Sequence, residues 1–223
     1  MLPSNLVEDA WMRALSPDER ERAAAMRHAG ARENFMQTRA ILRRILADAL
    51  QTAPETLRFT AGPQGKPRLA GETHDALNFN VSHTDGLALI ALCREARVGV
   101  DAERLREIEA AKLARRYFAV EERRVIDAAA PERRLETFFA VWTLKEALLK
   151  ATGEGVTRPL NNFAVSPHED GTASLLRDDH RAAATGAWTL VWRREASGHI
   201  IAAAVEASPA RFQFHDFSWT QEA

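Results

Sequence analysis

The stretch RRLETFFAVWTLKEALLKA, residues 133–151, decides how the second half of this chain folds. At 3.6 residues per turn, one face of a helix over this stretch carries Leu135, Phe139, Trp142, Glu146 and Leu149. Apolar residues also cover much of the opposite side, so the pattern predicts a long helix that is buried nearly all round. Glu146 falls within the apolar stripe, where an unpaired carboxylate is costly, and we expect it to face a cation. That cation is either Lys150, one turn later on the helix, or a metal ion.

A helix followed by short strands is an order of elements that occurs twice along the chain. The first half has a capped helix beginning at Ser16-Pro17 and a longer helix over about residues 31–50. The predicted strands cover residues 57–60, 77–82, 87–92, 97–103, 162–166, 173–176, 187–192 and 199–205. This order predicts an α+β fold, a pseudo-dimer of two similar lobes, each a long helix packed on a small, mainly antiparallel sheet. We place the N-terminal lobe at residues 1–105 and the C-terminal lobe at residues 106–223.

The composition of the chain excludes several classes of protein. The 223 residues include 30 Lys+Arg and 31 Asp+Glu, and the net charge of −1 excludes a uniformly basic nucleic-acid-binding protein or an acidic tail protein. A single cysteine, Cys93, excludes an intramolecular disulfide framework. Residues 1–10 lack the pattern of a secretory signal, and there is no apolar run of about 20 residues that would span a membrane. We therefore expect a soluble, cytoplasmic protein that binds neither nucleic acid nor membrane.

Two further carboxylates lie in the stretch VGVDAE, residues 98–103. In an extended strand Asp101 and Glu103 point to the same face, and they repel each other unless a cation lies between them. An exposed strand end is the simpler explanation for this pair on its own. Together with Glu146, however, the pair forms a set of three oxygen donors of the kind that Mg²⁺ prefers. The sequence thus predicts a magnesium site formed by Asp101, Glu103 and Glu146.

Basic residues are concentrated early in the chain, where residues 20–70 contain ten Lys or Arg and four Asp or Glu. This local excess of positive charge would attract phosphate groups, although most of these arginines are equally typical of a solvated helix face. Lys66 differs from them because Gly65 and Pro67 hold it in a stiff turn. A second set of possible donors to phosphate oxygens ends the predicted strand 77–82: Asn80, Ser82 and His83.

Four motifs carry a resemblance to a known family. In chain order they are Gly65-Lys66-Pro67, Phe79–His83, Val98–Glu103 and Trp142–Lys150. This ordered set resembles the signature of 4′-phosphopantetheinyl transferases, of the large, monomeric, two-lobed type that is similar to surfactin-synthetase activators and to the aminoadipate-pathway enzyme. The resemblance covers about residues 15–165. It implies transfer of the phosphopantetheine moiety of coenzyme A to a serine of an apo acyl- or peptidyl-carrier protein, with Mg²⁺ as cofactor and adenosine 3′,5′-bisphosphate as the released product.

The resemblance also implies roles for individual residues. Asp101, Glu103 and Glu146 would hold Mg²⁺ against the coenzyme A diphosphate, and Lys150 would stabilise the leaving group. The implied catalytic residues are Glu146, Lys150, Glu103 and Glu122, and the implied coenzyme A contacts are Arg22, Lys66, Pro67, Asn80, Ser82, His83, Asp101 and Lys150. Glu122 resembles the family's proton acceptor, and Glu121 beside it leaves the register open. The active site would lie in the cleft between the two lobes, because Asp101 and Glu103 close the first lobe and Glu146 belongs to the second.

Two other functions fit the same residues. The chain could be a different Mg²⁺-dependent phosphoryl transferase that uses the same three acids, or a non-catalytic relative that binds coenzyme A or a carrier protein. The complete set of acids with Lys150 favours an enzyme, because binding alone would not require it. We expect a monomer. The motifs leave open whether its carrier protein serves fatty-acid, polyketide, nonribosomal-peptide or lysine metabolism.

Overall fold

A computed structural model describes residues 4–62, 64–71, 77–180 and 186–217 of the chain. The chain forms two compact units. One comprises Met1–Thr60, Leu69–Asp75 and Phe212–Ala223, and the other comprises Ala61–Arg68 and Ala76–Arg211. Residue 105, where the sequence predicts the boundary between lobes, falls inside the second unit. The lobes 1–105 and 106–223 differ in extent from these units and stay a prediction.

The first unit is mainly helical. Its helices are α1 (Ser4–Ala14), α2 (Pro17–Ala25) and α3 (Ala29–Leu50), followed by a short 3-10 helix at Pro54–Thr56. The predicted start of α2 is confirmed, because the Glu19 carboxylate accepts a hydrogen bond from the backbone N–H of Ser16 at 3.1 Å. Helix α3 agrees with the helix expected over residues 31–50 and ends at Gln51, which has a left-handed φ of 54°. Apolar side chains such as Leu15 and Met36 form the core between these helices.

The described strands form three sheets. Strand β1 (Phe59–Ala61) pairs with β2 (Pro67–Leu69), and β3 (Leu77–Thr84) forms an antiparallel hairpin with β4 (Leu87–Arg94). The third sheet has five antiparallel strands in the order β5-β9-β8-β7-β6: β5 (Val98–Arg104), β6 (Phe163–Pro167), β7 (Thr172–Asp178), β8 (Thr189–Arg194) and β9 (His199–Val205). Asp101, in the middle of β5, lies opposite Ala202 of β9.

Helix α6 (Arg134–Thr152) packs against the five-stranded sheet and follows two shorter helices, α4 (Ala110–Tyr117) and α5 (Val120–Ala128). Its burial nearly all round confirms the prediction from its sequence. Nine of its apolar side chains are at most 3% exposed: Phe138, Phe139, Ala140, Val141, Leu144, Ala147, Leu148, Leu149 and Ala151. Helix α6 is therefore the centre of the core of the second unit.

Helix α6 approaches strand β5 closely at Gly99. A Cβ atom at this position would lie 2.1 Å from the carbonyl oxygen of Ala147 and 2.3 Å from the backbone nitrogen of Ala151. Because real side chains do not tolerate such distances to backbone atoms, only glycine fits here. This approach brings the last two turns of α6, with Glu146 and Lys150, beside the strand that carries Asp101.

The α+β class with mainly antiparallel sheets is confirmed. A long helix followed by strands also occurs twice, as α3 before β1–β5 and as α6 before β6–β9. Strand β5 nevertheless pairs with β9, which comes from the end of the second half. Helices α1, α4 and α5 were not among the predicted elements. In the part of the chain that the structure describes, no helix is both long and apolar enough to cross a membrane.

Candidate active site

Side chains from three elements meet around Asp101. The Asp101 Oδ1 atom accepts hydrogen bonds from Ser82 Oγ of β3 at 3.0 Å and from Lys150 Nζ of α6 at 2.6 Å. Lys150 Nζ also donates to Ser82 Oγ at 2.8 Å. We call these three side chains the Ser82–Asp101–Lys150 cluster. The structure thus brings together three residues that the sequence predicts at one site.

The hairpin strand β3 is held against β5 by a buried side-chain contact. Asn80 and Ser82 point to the same side of β3, and both are at most 5% exposed. The Asn80 Oδ1 atom accepts a hydrogen bond from the backbone N–H of Val100 at 2.9 Å. Since Val100 directly precedes Asp101, this bond fixes the position of the cluster's carboxylate. Asn80 thus has a clear structural contact, whereas its predicted contact with coenzyme A stays a prediction.

Glu146 and Glu103 carry further negative charge close to the cluster. Burial of Glu146 raises the pKa of its carboxyl group; the charges of Asp101 and Glu103 raise it further, and Lys150 opposes this effect. Glu103, on the strand face predicted to hold the metal, forms an ion pair with Arg106 at 3.2 Å. The negative charges of Asp101 and Glu103 therefore both oppose the ionisation of Glu146.

Asp101, Glu103 and Glu146 are of the ligand type that a divalent cation prefers, but their side chains are not arranged around a common point. Oxygen ligands suit Mg²⁺, and the buried Oδ2 atom of Asp101 has no hydrogen-bond partner among the described residues. However, the described ranges contain no group of three or more His, Cys, Asp or Glu side chains arranged to hold a metal ion. Lys150 binds one oxygen of Asp101, and Arg106 binds Glu103. The magnesium site of Asp101, Glu103 and Glu146 thus stays a prediction that the orphaned oxygen supports.

The ammonium group of Lys66 lies at the end of α6. Its Nζ atom donates to the carbonyl oxygens of Lys150 at 2.6 Å, Val98 at 3.1 Å and Ala151 at 3.2 Å. Burial lowers the pKa of Lys66 to about 8, and the nearby charges of Arg68 and Arg97 contribute to this shift. The predicted contact of this ammonium with the nucleotide would require it to leave these carbonyl groups.

Glu122, the predicted proton acceptor, lies in the core of the second unit. Its Oε1 atom accepts hydrogen bonds from Lys145 Nζ at 2.5 Å and from the Val165 N–H at 2.9 Å, and Oε2 accepts one from the Ala119 N–H at 2.9 Å. Both side chains of the Glu122–Lys145 pair are fully buried. Burial raises the pKa of Glu122 and lowers that of Lys145 to about 8. These contacts belong to the packing of α5, α6 and β6, and the structure does not bring Glu122 to the Ser82–Asp101–Lys150 cluster. Glu121, the alternative candidate for the proton acceptor, forms an ion pair with Arg177 at 3.1 Å.

The remaining predicted coenzyme A contacts lie in different parts of the chain. His83 is exposed and directly follows Ser82 on β3, so it lies next to the cluster along the strand. Pro67 is half-buried and begins β2. Arg22 is exposed on α2 in the first unit, where its guanidinium carbon lies 5.0 Å from the ring centroid of Phe35. No described contact joins Arg22 or Pro67 to the cluster.

Comparison with known families identifies the family of this chain. Residues 97–204 match the family model described as the 4′-phosphopantetheinyl transferase superfamily, and residues 3–95 match the one described as 4′-phosphopantetheinyl transferase, N-terminal. The chain belongs to the 4′-phosphopantetheinyl transferase superfamily. The family resemblance seen in its motifs is thus confirmed.

Three relatives show how far this similarity extends. A putative 4′-phosphopantetheinyl transferase of Synechocystis sp., slr0495, is 38% identical over 157 residues, which are 70% of this chain and 63% of that protein. The 4′-phosphopantetheinyl transferase HetI of Nostoc sp. is 37% identical over 65% of this chain and 62% of its own length. The 4′-phosphopantetheinyl transferase Sfp of Bacillus subtilis is 28% identical over 77% of this chain and 75% of its own length. The match therefore spans somewhat less than two thirds of the first two relatives.

The sequence reasoning missed two residues of this phosphopantetheinyl transferase family member: Gly99, which supports the candidate site, and Lys145, which pairs with Glu122 in the core. Lys145 is fully buried in α6. A buried ammonium group needs a partner of opposite charge for the same reason that the buried carboxylate of Glu146 needs a cation. Gly99 allows the contact between α6 and β5, and a glycine inside a predicted strand is a known sign of close backbone approach. Both signals are present in the sequence, but neither identifies the partner.

Proposed function

We propose that this chain transfers the 4′-phosphopantetheine moiety of coenzyme A to a serine of an apo acyl- or peptidyl-carrier protein and releases adenosine 3′,5′-bisphosphate. The observation that carries the proposal is the Ser82–Asp101–Lys150 cluster beside Glu146, in a chain of the phosphopantetheinyl transferase family. The cluster combines an accessible ammonium group with carboxylates that can share a cation. A diphosphate substrate carried with a divalent cation requires both kinds of charge.

The reaction needs the diphosphate charge neutralised and the leaving phosphate stabilised while the serine oxygen attacks the β-phosphate. Lys150 suits the second task because its side chain is 32% exposed while Asp101 and Ser82 hold its ammonium in one position. A Mg²⁺ ion held by Asp101, Glu103 and Glu146 would neutralise the charge of the diphosphate. The unpartnered Oδ2 atom of Asp101 supports this assignment.

His83 and Ser82, at the end of β3, are the proposed contacts for the phosphate groups on the nucleotide side of coenzyme A, and the buried Ser82 hydroxyl would have to leave its hydrogen bond to Asp101 to make this contact. The exposure of His83 supports this assignment, because its imidazole can reach a ligand without breaking a core contact. Glu122 is not assigned as the proton acceptor. Both of its oxygens are bonded in the core, so the serine of a carrier protein has no access to it.

Intact-mass spectrometry tests the proposal directly. The purified chain is mixed with coenzyme A, Mg²⁺ and each of several unrelated apo carrier proteins, and we expect one carrier to gain the mass of one phosphopantetheine group. The conservative variant Asp101→Asn should produce this gain about 100-fold more slowly. Glu109→Gln serves as the matched control, because Glu109 is exposed on the surface and pairs only with exposed Lys112 in the described structure. If no carrier gains mass, the transferase proposal is wrong. Coenzyme A binding measured by calorimetry in that case would identify a non-catalytic relative.

A further inference from the structure

The three hydrogen atoms of the Lys66 ammonium group match three carbonyl acceptors in the second unit. An ammonium group has three donors and no acceptor, and the carbonyl oxygens of Val98, Lys150 and Ala151 lie 3.1, 2.6 and 3.2 Å from Nζ. Two of these carbonyls belong to the end of α6, and the third belongs to the first residue of β5. A single side chain therefore bridges the helix and the strand of the candidate active site.

The carbonyl groups at the end of α6 need such a partner. The last four carbonyls of a helix have no partner within the helix. Here the carbonyl of Leu149 accepts the backbone N–H of Gly153 at 2.9 Å, and Gly153 ends the helix with a left-handed φ of 75°. Lys66 supplies donors to the next two carbonyls, those of Lys150 and Ala151. Its positive charge also interacts favourably with the negative end of the helix dipole.

The residue whose carbonyl Lys66 binds most closely is Lys150 of the cluster. The Lys150 backbone is thus held by Lys66, while its side chain is held by Asp101 and Ser82. On β5, Lys66 binds the carbonyl of Val98, the residue directly before Gly99, where the strand approaches the helix closely. The position of the last turn of α6 along β5 therefore depends on this ammonium group.

The backbone around Lys66 is shaped to deliver its side chain to this place. The Gly62 N–H donates to the Lys66 carbonyl at 2.8 Å, and the Gly65 N–H donates to the Gly62 carbonyl at 2.8 Å. Gly65 has a φ of 78°, which side chains rarely adopt. The turn is thus closed on itself, and the half-buried stem of Lys66 runs from it to α6.

We propose that Lys66 is a positioning residue whose ammonium group fixes the last turn of α6 against β5 and thereby aligns Lys150 with Asp101. This role differs from the nucleotide contact that the family resemblance implies for Lys66. The functional part of this inference rests on the proposed role of Lys150 in phosphopantetheine transfer. The structural part, the coupling of Lys66 to the end of α6, stands without it.

Amide hydrogen exchange tests the structural part in the full-length chain. Lys66→Met keeps an unbranched apolar stem and removes the ammonium, and we expect exchange at residues 150–153 to accelerate by about ten-fold. Lys66→Arg keeps a cation with several donors and should stay within about three-fold of the original chain. Lys112→Met is the matched control, because Lys112 is exposed and pairs with Glu109 on the surface. Unchanged exchange at residues 150–153 in Lys66→Met would overturn the inference.

Kinetics and coenzyme A binding test the functional part. For Lys66→Met we expect kcat to fall by about ten-fold, while the dissociation constant of coenzyme A measured by calorimetry changes by less than about two-fold. A nucleotide contact predicts the opposite result, weaker binding with kcat preserved, and that result would overturn the proposal. If the original chain transfers nothing to any carrier, the proposed function fails alone, because the exchange experiment does not depend on activity.

Discussion

Lys150 Nζ lies 2.6 Å from Asp101 Oδ1, and this ion pair joins the last turn of α6 to the middle of β5. The two side chains differ in their access to water, since Asp101 is 7% exposed and Lys150 is 32% exposed. Loss of the lysine would leave a nearly buried carboxylate without its cation, whereas loss of the aspartate would leave an ammonium that water can solvate. The energetic cost of breaking the pair therefore depends on which partner is removed.

Asp101→Asn should separate activity from stability. The amide keeps an oxygen acceptor for Ser82 and Lys150 but removes the charge, so we expect kcat for phosphopantetheine transfer to fall by about 100-fold. The free energy of unfolding should change by less than about 1 kcal/mol, because Lys150 is partly solvated. Steady-state kinetics and urea unfolding measure the two quantities. A variant that retains activity within about three-fold would show that Asp101 is not part of the reaction site.

The Glu122–Lys145 pair should behave as a structural pair. Glu122→Gln or Lys145→Met alone leaves a buried charge unpaired and should lower the free energy of unfolding by about 3 kcal/mol. The double variant should lose clearly less than the sum of the two single losses, because neither charge is then left alone. Urea unfolding of the four proteins measures this coupling. If Glu122→Gln abolished transfer without lowering the free energy of unfolding, the result would show that Glu122 acts in the reaction and is not only a structural residue.

Gly99→Ala should move α6 away from β5. The added Cβ would meet the Ala147 carbonyl oxygen at 2.1 Å, and we expect a loss of about 3 kcal/mol in stability together with a loss of activity at temperatures where the chain is folded. Gly30→Ala is the matched control. Gly30 is exposed in α3, its added Cβ would meet no described atom within 4 Å beyond the neighbouring helix backbone, and the change should stabilise the chain by about 0.5 kcal/mol. Equal thermal stability of the two variants would contradict the close packing at Gly99.

Glu146→Gln should stabilise the chain in the absence of divalent cations. Burial and two neighbouring carboxylates raise the pKa of Glu146, so its ionisation is unfavourable in the folded chain and stability is lost as pH rises through this pKa. The variant lacks this loss, and in EDTA its Tm should exceed that of the original chain at pH 7 by about 2 °C and by less at pH 4. Addition of Mg²⁺ should then raise the Tm of the original chain but not that of the variant. A Tm of the original chain that does not respond to Mg²⁺ would contradict the metal assignment.

The pH dependence of activity should reveal the ionisation of Lys66. Burial, with Arg68 and Arg97, lowers the pKa of Lys66 from 10.5 to about 8, so the ammonium that holds α6 is lost as pH rises through about 8. We expect kcat to fall over this range in the original chain and to stay level in Lys66→Arg. In the unfolded chain Lys66 keeps its proton up to its ordinary pKa of 10.5. Between about pH 8 and 10.5 the unfolded chain therefore binds more protons than the folded chain, and the free energy of unfolding rises with pH. The expected loss of kcat over this range is thus not caused by global unfolding. A level profile in the original chain, or the same fall in Lys66→Arg, would contradict the prediction.

The sequence was most informative where the periodicity of a helix or strand also positions a polar side chain of the candidate site. The apolar period of residues 133–151 predicted both the burial of α6 and the position of Glu146, and the structure confirms the burial. The alternation in residues 77–82 placed Asn80 and Ser82 on one side of β3. That side faces β5 and is buried, because the two polar side chains bond to Val100 and Asp101.

Some of the parts that were missed lack a local sequence signal, and others depend on partners far away in the chain. Helix α5 begins at Val120, and the residue before it is Ala119, which offers no side chain for a cap; the Glu122 carboxylate binds its backbone N–H instead. The pairing of β5 with β9 joins Val98 to Val205, and no local pattern specifies a partner at such a distance. The carbonyl partners of Lys66 could not be predicted from the sequence either, because every residue of the chain offers a carbonyl group.

The order β5-β9-β8-β7-β6 also has a consequence for how the protein is made. Asp101 is translated well before the strand that pairs with β5, which ends at Val205. Helix α6, which supplies Lys150, is likewise translated before β9 exists. A nascent or truncated chain that lacks β9 therefore contains every residue of the cluster without the ladder that places Asp101. The proposed transfer activity should thus require a chain that extends through β9.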